Sequence, residues 1–233
     1  MVDLTSEMAE LWAALGAPAM SGGRVIQFVA ANRGEGCSSV AREFAFYASK
    51  RAQKAVWLVD LDLMNASQHR SIAADPGRYG VLGRQSAASP DGSSFFTVQP
   101  PTRGPDGRPW PDGRFLVAHP VGGAKLWVTR FRRETLQPEQ SPHILPSGDY
   151  WRALRRFAEL IIVDAPAADQ APSALTVAPF MDFSVLVVAA NAGEAAAPAA
   201  LKEAILGAGG RCAGLVFNRA SAETPKFLKA FQS

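Results

Sequence analysis

The sequence contains few of the residues that build disulfide frameworks or metal clusters. Its 233 residues include only two cysteines, Cys37 and Cys212, and three histidines. Two cysteines in a chain of this length give neither a disulfide framework nor a metal-ligand cluster. No apolar run reaches the ~18 residues that are needed to cross a bilayer. The acidic start, MVDLTSEMAELW, also lacks the basic and apolar regions of a signal peptide. We therefore expect an intracellular soluble protein.

Charged residues are also scarce, and they are unevenly placed. They make up 19% of the chain against 48% hydrophobic residues, which is enough apolar material for a large core. The net charge is +3, yet residues 101–156 hold ten Lys and Arg against five Asp and Glu. A basic segment can contact nucleic acid, phosphate or anionic lipid. No aromatic interleaving or helical stripe organises these charges, so we favour a solvated loop and do not expect nucleic acid as a partner.

Short apolar runs alternate with helical stretches along most of the chain. This pattern predicts an α/β fold with a mostly parallel central sheet and helices on both faces. The predicted strands are 25–30, 56–59, 115–118, 126–129, 160–163, 183–189 and 212–217. The predicted helices are 38–50, 149–160 and 194–206. We expect residues 1–233 to form a single domain.

One stretch departs from this alternation. Residues 76–120 contain eight prolines and seven glycines, which is too many for a regular helix or a central strand. We therefore expect residues 76–113 to form a long surface excursion from the single domain.

The first predicted strand runs into a glycine-rich turn, AANRGEGCSSVA, and then into a helix. In this arrangement backbone N–H groups converge on a phosphate at the helix N-terminus. Compared with the phosphate-loop pattern G-x-x-x-x-G-K-[ST], Gly36 matches the second glycine, Ser38 matches the Mg²⁺-binding hydroxyl, and Cys37 replaces the lysine. Such a turn can also simply let a strand meet a helix. The predicted cofactor-binding residues of the turn are Arg33, Gly34, Glu35, Gly36, Cys37, Ser38 and Ser39.

Acidic residues follow two further predicted strands. Asp60 and Asp62 come after the second strand of the alternation, and Asp164 comes after the strand at 160–163. The carboxyl ends of parallel strands share one rim, where α/β proteins bind ligands. Carboxylates there can hold Mg²⁺ together with Ser38, and one of them can accept a proton from a nucleophile. The alternative is that each aspartate caps the following helix. Three acids on one rim favour a site, with Asp60, Asp62 and Asp164 catalytic and with Ser38, Asp60 and Asp164 as metal ligands.

In chain order, GEGCSS, VDLDLMNAS, LIIVDAP, SALTVAPFMDFSVLVV and GLVFNR resemble the P-loop ATPase domain of bacterial tyrosine kinases (BY-kinases of the CpsD/CapB type). These are the cytoplasmic kinase parts of polysaccharide co-polymerase systems and are related to the ParA/MinD ATPases. The resemblance covers about residues 24–219. It implies that ATP or ADP binds with Mg²⁺, and that Asp60 or Asp62 acts as catalytic base and Mg²⁺ partner. It further implies that Asp164 belongs to the third acidic motif and that Asn218 and Arg219 contact the adenine.

The sequence departs from this family at four points. Cys37 replaces the phosphate-binding lysine, and Met-Asn-Ala at 64–66 replaces Arg-Arg-Pro. The opening helix lacks the Glu-x-x-Arg-x-x-Arg pattern that the family uses for ring assembly. Active members usually end in a tyrosine cluster, whereas none of the three tyrosines here lies after position 150. The first two departures remove charge that would stabilise a transition state.

The leading hypothesis is therefore a degenerate member: a pseudokinase that regulates polysaccharide biosynthesis or export, with weak or absent ATP binding. Its expected partner is a membrane polysaccharide co-polymerase or a related kinase, which would recruit it from the cytoplasm to the inner face of the membrane. A homo-oligomer is a further possible assembly.

Three other interpretations stay open. The chain could be a ParA/MinD-like ATPase for positioning or partitioning, although Asn32 stands where that class has an additional signature lysine. It could be an active tyrosine kinase in which Arg33 replaces the missing lysine. Alternatively, Cys37 could be a redox-sensitive thiol.

Overall fold

The computed structural model describes residues 5–15, 22–104, 107–190 and 196–219, in which helices and strands alternate. The helices are α1 (Thr5–Leu15), α2 (Cys37–Ser49), α3 (Ser67–Ala74), α4 (Pro76–Tyr79), α5 (Asp149–Leu154), α6 (Ser173–Val177) and α7 (Ala196–Gly207). The strands are β1 (Arg24–Ala30), β2 (Ala55–Asp60), β3 (Ser86–Ala87), β4 (Phe96–Gln99), β5 (Leu116–Val121), β6 (Leu126–Phe131), β7 (Ser141–Ile144), β8 (Ala158–Asp164), β9 (Phe183–Ala189) and β10 (Cys212–Asn218). Short 3-10 helices lie at Asp112–Phe115, Arg133–Thr135 and Ala178–Phe180.

Within these described residues, eight strands form one sheet in the order β10-β9-β1-β8-β2-β6-β5-β3. Neighbours from β10 to β6 pair in parallel, while β5 and β3 add an antiparallel edge. In register, Asp164 of β8 lies beside Phe28 of β1 on one side and beside Asp60 of β2 on the other. The mostly parallel sheet is confirmed, and the carboxyl ends of β1, β8 and β2 lie side by side.

Helices cover both faces of the sheet, as predicted. Alternate residues of each strand point to opposite faces, so each central strand contributes to two hydrophobic clusters. On one face, Phe28 and Ile162 pack with Phe44 of α2. On the other face, Ile161 packs in a cluster with Trp151 of α5 and with residues of α7. Burying a side chain of this size contributes roughly 1.5–3 kcal/mol.

The described residues of the segment 76–113 lie mostly at the surface, but part of the segment packs into the core. It contains α4, β3 and β4, and β4 pairs with β7 in a separate two-stranded sheet. Phe95 and Phe96 are fully buried, and the ring of Phe95 stacks on Trp151 at 5.2 Å between centroids. Prolines and glycines keep the regular elements short here, but they do not stop the apolar residues between them from packing into the core.

Two predicted helices differ from the structure at their ends. The helix expected over 149–160 stops at Leu154, because the chain from Ala158 joins the sheet as β8 between β1 and β2. The helix expected over 194–206 corresponds to α7, whose described part begins at Ala196. Residues 194 and 195 lie outside the described residues, as does the tail after Arg219.

Candidate functional site

The phosphate loop (residues 31–38) joins β1 to α2 and depends on two glycines. Gly34 and Gly36 adopt φ angles of 91° and 85°, in the left-handed region that other residues avoid. A Cβ atom on Gly34 would meet nothing within 4 Å, whereas one on Gly36 would lie 2.1 Å from Asn218 Nδ2. Gly34 is therefore required for backbone conformation alone, and Gly36 is required for conformation and for space.

A cavity of about 580 Å³ opens in front of this loop. Its size falls within the range of small-molecule sites. All seven predicted loop residues line it, from Arg33 to Ser39, together with Asp62 and Arg219. The other lining residues are Ala30 at the end of β1, Asn32 near the start of the loop, and those in the segments that follow β2 and β8: Asn65, Ser67, Ala165, Pro166, Ala167, Gln170 and Ala171. The structure thus brings the glycine-rich turn and the ends of three strands to one cavity.

Two acidic side chains accept hydrogen bonds from the first part of the loop. The carboxylate of Glu35 is buried, and its Oε2 accepts a hydrogen bond from the backbone N–H of Asn32 at 3.0 Å. The backbone N–H of Arg33 donates to Asp169 Oδ2 at 3.2 Å, while the Arg33 side chain is exposed at the cavity. The loop conformation is therefore fixed without a bound ligand.

Asn218 and Arg219, which the resemblance places at the adenine, have different roles in the structure. Asn218 Nδ2 donates to the backbone carbonyl of Glu35 at 2.9 Å, so its side chain is committed to supporting the loop. Arg219 has a φ of 60° and lines the cavity. Of this pair, only Arg219 is placed to contact a ligand.

Cys37 lies where phosphate loops have their lysine, and it carries no charge. Burial raises the pKa of the Cys37 thiol well above its ordinary value, and the nearby Asp164 carboxylate raises it further. The group is therefore a protonated thiol, which is a weak hydrogen-bond donor. The thiolate is the form that is oxidised and that attacks disulfides, so this environment argues against a redox-sensitive thiol.

Asp60, the last residue of β2, serves as a helix cap. Its carboxylate accepts hydrogen bonds from the backbone N–H of Asp62 at 2.9 Å, from Ser67 Oγ at 3.1 Å and from the backbone N–H of Gln68 at 3.0 Å. The last two donors belong to the first turn of α3, whose N-cap residue, Ala66, offers no side-chain acceptor. Burial and the charge of Asp164 raise the pKa of Asp60 to about 7. The capping alternative therefore applies to Asp60.

Of the three predicted catalytic acids, only Asp62 lines the cavity. Its carboxylate accepts from Asn65 Nδ2 at 2.8 Å and 3.0 Å, and it remains partly exposed. Asp60 lies behind it, beneath the cavity wall. A ligand in the cavity would meet Asp62 first.

Asp164 ends β8 and is buried behind the loop. Its Oδ2 accepts from Gln68 Nε2 at 2.6 Å, whereas its Oδ1 makes no hydrogen bond with any residue that the structure describes. Burial raises the pKa of Asp164 to about 6, although the Gln68 hydrogen bond acts in the opposite direction. Asp60 and Asp164 are thus neighbouring buried acids.

Two residues that the sequence did not single out complete this buried side. The Gln68 side chain is fully buried, and Arg42 Nη1 donates to its Oε1 at 3.2 Å. Arg42 Nε also donates to the hydroxyl of Tyr79 at 3.2 Å. The sequence signal for both was weak: a polar residue on an otherwise apolar helix face. Such a residue shows its role only when its partners on other elements are known.

The three tyrosines of the sequence are all buried, with exposures of 9% for Tyr47, 6% for Tyr79 and 0% for Tyr150. The Tyr79 hydroxyl donates to Glu43 and accepts from Arg42. The Tyr150 hydroxyl donates to the Ala88 carbonyl at 3.3 Å. The hydroxyl groups of Tyr79 and Tyr150 are therefore both engaged in hydrogen bonds within the fold.

Phosphate would fit the shape of this site, but Mg²⁺–ATP does not fit its charges. The two glycines of the loop and the first residues of α2 line the cavity, and a helix N-terminus favours an anion. The lysine is replaced by a neutral thiol, and Asp60 and Asp164 already accept hydrogen bonds from α3 and from Gln68. Among the described residues, no three His, Cys, Asp or Glu side chains are grouped to hold a metal ion.

No family model matches this sequence, and no curated protein is similar to it. Among solved structures, the kinase domain of the Escherichia coli tyrosine kinase ETK has a TM-score of 0.59 and 16% identity, covering 95% of this chain and 74% of its own. The VpsO kinase domain has a TM-score of 0.56 and 17% identity, with 85% and 86% covered. A ParA family ATPase from Chlorobium tepidum has a TM-score of 0.50 and 19% identity, with 86% and 76% covered.

These similarities define the class of the molecule as a P-loop NTPase-like fold. More particularly, it is the version of that fold found in bacterial tyrosine kinase domains and in ParA family ATPases. No helix of the described residues is long and apolar enough to cross a membrane.

Proposed function

We propose that this chain is a kinase-like regulator of bacterial polysaccharide biosynthesis or export that binds ATP weakly or not at all. The observation that carries the proposal is the buried, protonated thiol of Cys37 at the position of the phosphate-binding lysine. A hydrogen bond to a charged group contributes roughly 1.5–3 kcal/mol. Losing the charge therefore weakens nucleotide binding and removes a cation that phosphoryl transfer needs.

The burial of the tyrosines, which are the residues that would accept phosphate, supports the same proposal. An enzyme of this kind that modifies itself needs an accessible tyrosine, whereas all three tyrosines here are largely buried, and the hydroxyls of Tyr79 and Tyr150 are hydrogen-bonded within the fold. The polysaccharide context comes from the resemblance of the motifs to the kinase parts of co-polymerase systems. We infer that the chain acts by docking, in the cytoplasm, on a membrane co-polymerase or on a related active kinase.

The first test is incubation with labelled ATP and Mg²⁺, followed by detection of phosphotyrosine. We expect no labelling of the wild-type protein and none of Cys37→Lys, because the variant restores a cation but not an acceptor. An active bacterial tyrosine kinase domain serves as the positive control. Labelling of any tyrosine of the wild-type chain would overturn the proposal.

The second test concerns the partner. Tagged protein is incubated with detergent-solubilised membranes of the source cell, and the bound proteins are identified by mass spectrometry. We expect a membrane protein of a polysaccharide export system. Recovery of only soluble proteins contradicts docking at the membrane.

The similarity to a ParA family ATPase favours a second candidate, an ATPase that switches between monomer and dimer. The two candidates differ in their response to nucleotide. Light scattering with and without Mg²⁺–ATP should show the same mass for the proposed regulator. A dimer that forms only with Mg²⁺–ATP would favour the second candidate.

A further inference from the structure

The side-chain amide of Gln68 lies at the point where three elements meet. Its Nε2 donates to Asp164 Oδ2 at 2.6 Å and to the backbone carbonyl of Ser38 at 2.8 Å. Ser38 belongs to the first turn of α2 and Asp164 ends β8, so one nitrogen bridges two elements that frame the loop. Gln68 itself belongs to α3, which follows the acidic segment after β2.

The orientation of this amide is fixed by its third partner. Arg42 Nη1 donates to Gln68 Oε1, which requires the oxygen to point at the guanidinium and the nitrogen at the two acceptors. The reversed amide would place its oxygen against the Asp164 carboxylate and the Ser38 carbonyl, and its nitrogen against Arg42. The contacts at both ends of the amide would then be repulsive.

The guanidinium of Arg42 consequently lies behind the carboxylates and outside the cavity, whereas Arg33 and Arg219 line the cavity. Arg42 is held by Gln68 and by the Tyr79 hydroxyl, which in turn donates to Glu43. Arg78 also pairs with Glu43 at 2.6 Å. The charge of Arg42 favours the ionised form of Asp164 and so lowers its pKa, against the effect of burial. Asp164 thus receives a hydrogen bond from the amide and charge compensation from Arg42.

We propose that the Gln68 amide takes the place of a divalent cation in this protein. It bridges Asp164 to α2 through Ser38 and keeps the loop assembled without metal. A Mg²⁺ ion would have to compete with this amide for the Asp164 oxygen. The inference goes beyond the proposed regulatory role, because it would hold whatever the chain regulates.

Removing the amide should expose a latent cation site. Without Gln68, Asp164 would lose the amide donor at Oδ2, although the Ser38 and Cys37 side chains stay beside its carboxylate, near Asp60 and the first turn of α2. Oxygen ligands of this kind suit Mg²⁺ and Mn²⁺. Binding of either ion to the folded state alone would stabilise it.

The experiment compares wild type, Gln68→Ala and Gln68→Met by thermal unfolding in EDTA, Mg²⁺ or Mn²⁺, and by Mn²⁺ binding in electron paramagnetic resonance. We expect the wild-type melting temperature to be the same in all three conditions. Gln68→Ala should melt roughly 5 °C or more below wild type in EDTA and regain part of that shift in Mn²⁺. It should also bind Mn²⁺ at least about tenfold more tightly than wild type does. Gln68→Met, which keeps most of the side-chain volume, should show the same metal response.

Gln140 supplies the matched control. It is also a buried glutamine, and its Nε2 donates to the Pro100 carbonyl and to Thr102 Oγ1, both at 2.8 Å. Gln140→Ala should lose stability without gaining any response to Mn²⁺.

Variants at Gln68 that fold only with Mn²⁺ would also support the proposal. Three results would contradict it: wild type that is itself stabilised by Mg²⁺ or Mn²⁺, Gln68 variants that respond no more than Gln140→Ala, or variants that fold in neither condition. None of these results bears on tyrosine labelling or on membrane partners, so the proposed function is tested separately.

Discussion

On the cavity side of the phosphate loop, two left-handed glycines keep the shape of a phosphate site while the neutral Cys37 leaves it without its usual charge. On the buried side, Gln68, Arg42 and the two buried aspartates form a hydrogen-bonded group that keeps a positive charge away from the cavity. Shape and charge are therefore separable in this fold. Glycines and a helix start set the shape, whereas single side chains set the charge: the lysine charge is absent at Cys37, while Arg33 and Arg219 line the cavity.

The largest expected effect is on the buried side. Arg42→Met removes the cation that orients Gln68 and contacts Tyr79, and it leaves Gln68 Oε1 without its donor. We expect a loss of about 3 kcal/mol in the free energy of unfolding, measured with urea. Arg130→Met is the control, because its ion pair with Glu134 is exposed and contributes about 1 kcal/mol or less. Equal losses of unfolding free energy in Arg42→Met and Arg130→Met would show that the buried group contributes no more to stability than an exposed ion pair.

A smaller effect is expected on the cavity side. Gly34→Ala should cost about 1–2 kcal/mol, because its left-handed backbone is strained by any side chain. Gly36→Ala should cost about 1 kcal/mol more, because its Cβ displaces Asn218 from the Glu35 carbonyl. Urea unfolding of both variants gives the difference.

The double variant Gly36→Ala/Asn218→Ala isolates that contact. Relative to Asn218→Ala alone, it should lose only what Gly34→Ala loses, since the displaced side chain is gone. If Gly36→Ala still costs more unfolding free energy than Gly34→Ala when Asn218 is already alanine, the additional cost does not come from Asn218.

The exposed side of α3 provides a pH test that leaves the buried group in place. Partial burial, the neighbouring His119 and the charge of Arg130 lower the pKa of His69 to about 4, while Glu134 acts in the opposite direction. Because the folded pKa lies below the unfolded value of about 6.5, the stability that His69 contributes is complete above pH 6.5 and is lost as the pH falls toward 4. The half-exposed ring limits this loss to about 1 kcal/mol.

The measurement is urea unfolding between pH 7 and pH 4.5 for wild type and His69→Gln. The raised pKa values of Asp60 and Asp164 have the opposite sign, since they favour the folded state at low pH. Only the difference in unfolding free energy between wild type and His69→Gln therefore reports on His69. Parallel pH profiles would show that His69 is not perturbed.

The smallest effect, with no change in stability, concerns the two thiols. Cys37 is buried and protonated, whereas Cys212 is partly exposed. Native protein should react with a thiol reagent such as DTNB at one fast thiol, and at the second only after urea is added. Cys212→Ser should remove the fast reaction. A fast thiol remaining in that variant would show that Cys37 is accessible.

The sequence predicts the central sheet well for a physical reason. Parallel strands are buried on both faces, so β1, β8 and β9 are nearly continuous apolar runs that stand out in the sequence. The acids that end β2 and β8 could be placed on one rim for the same reason.

Side-chain partners and local exceptions could not be predicted in this way. The prolines and glycines around Phe95 predicted a surface segment, although Phe95 lies in the core. The helical pattern at 149–160 did not show where β8 begins, because pairing with the two neighbouring strands determines that start. Gln68 and Arg42 meet only because α2, α3 and β8 come together in the fold. Residue type alone did not distinguish them from surface polar residues.

Calorimetric titration of ADP with saturating Mg²⁺, into wild type, Cys37→Ala and Cys37→Lys at one salt concentration, tests the central claim most directly. If the loop keeps its shape and lacks only charge, the lysine variant should bind about 10- to 100-fold more tightly than wild type, while the alanine variant should bind like wild type. Equal affinity of all three proteins, or tight binding by wild type, would contradict the claim.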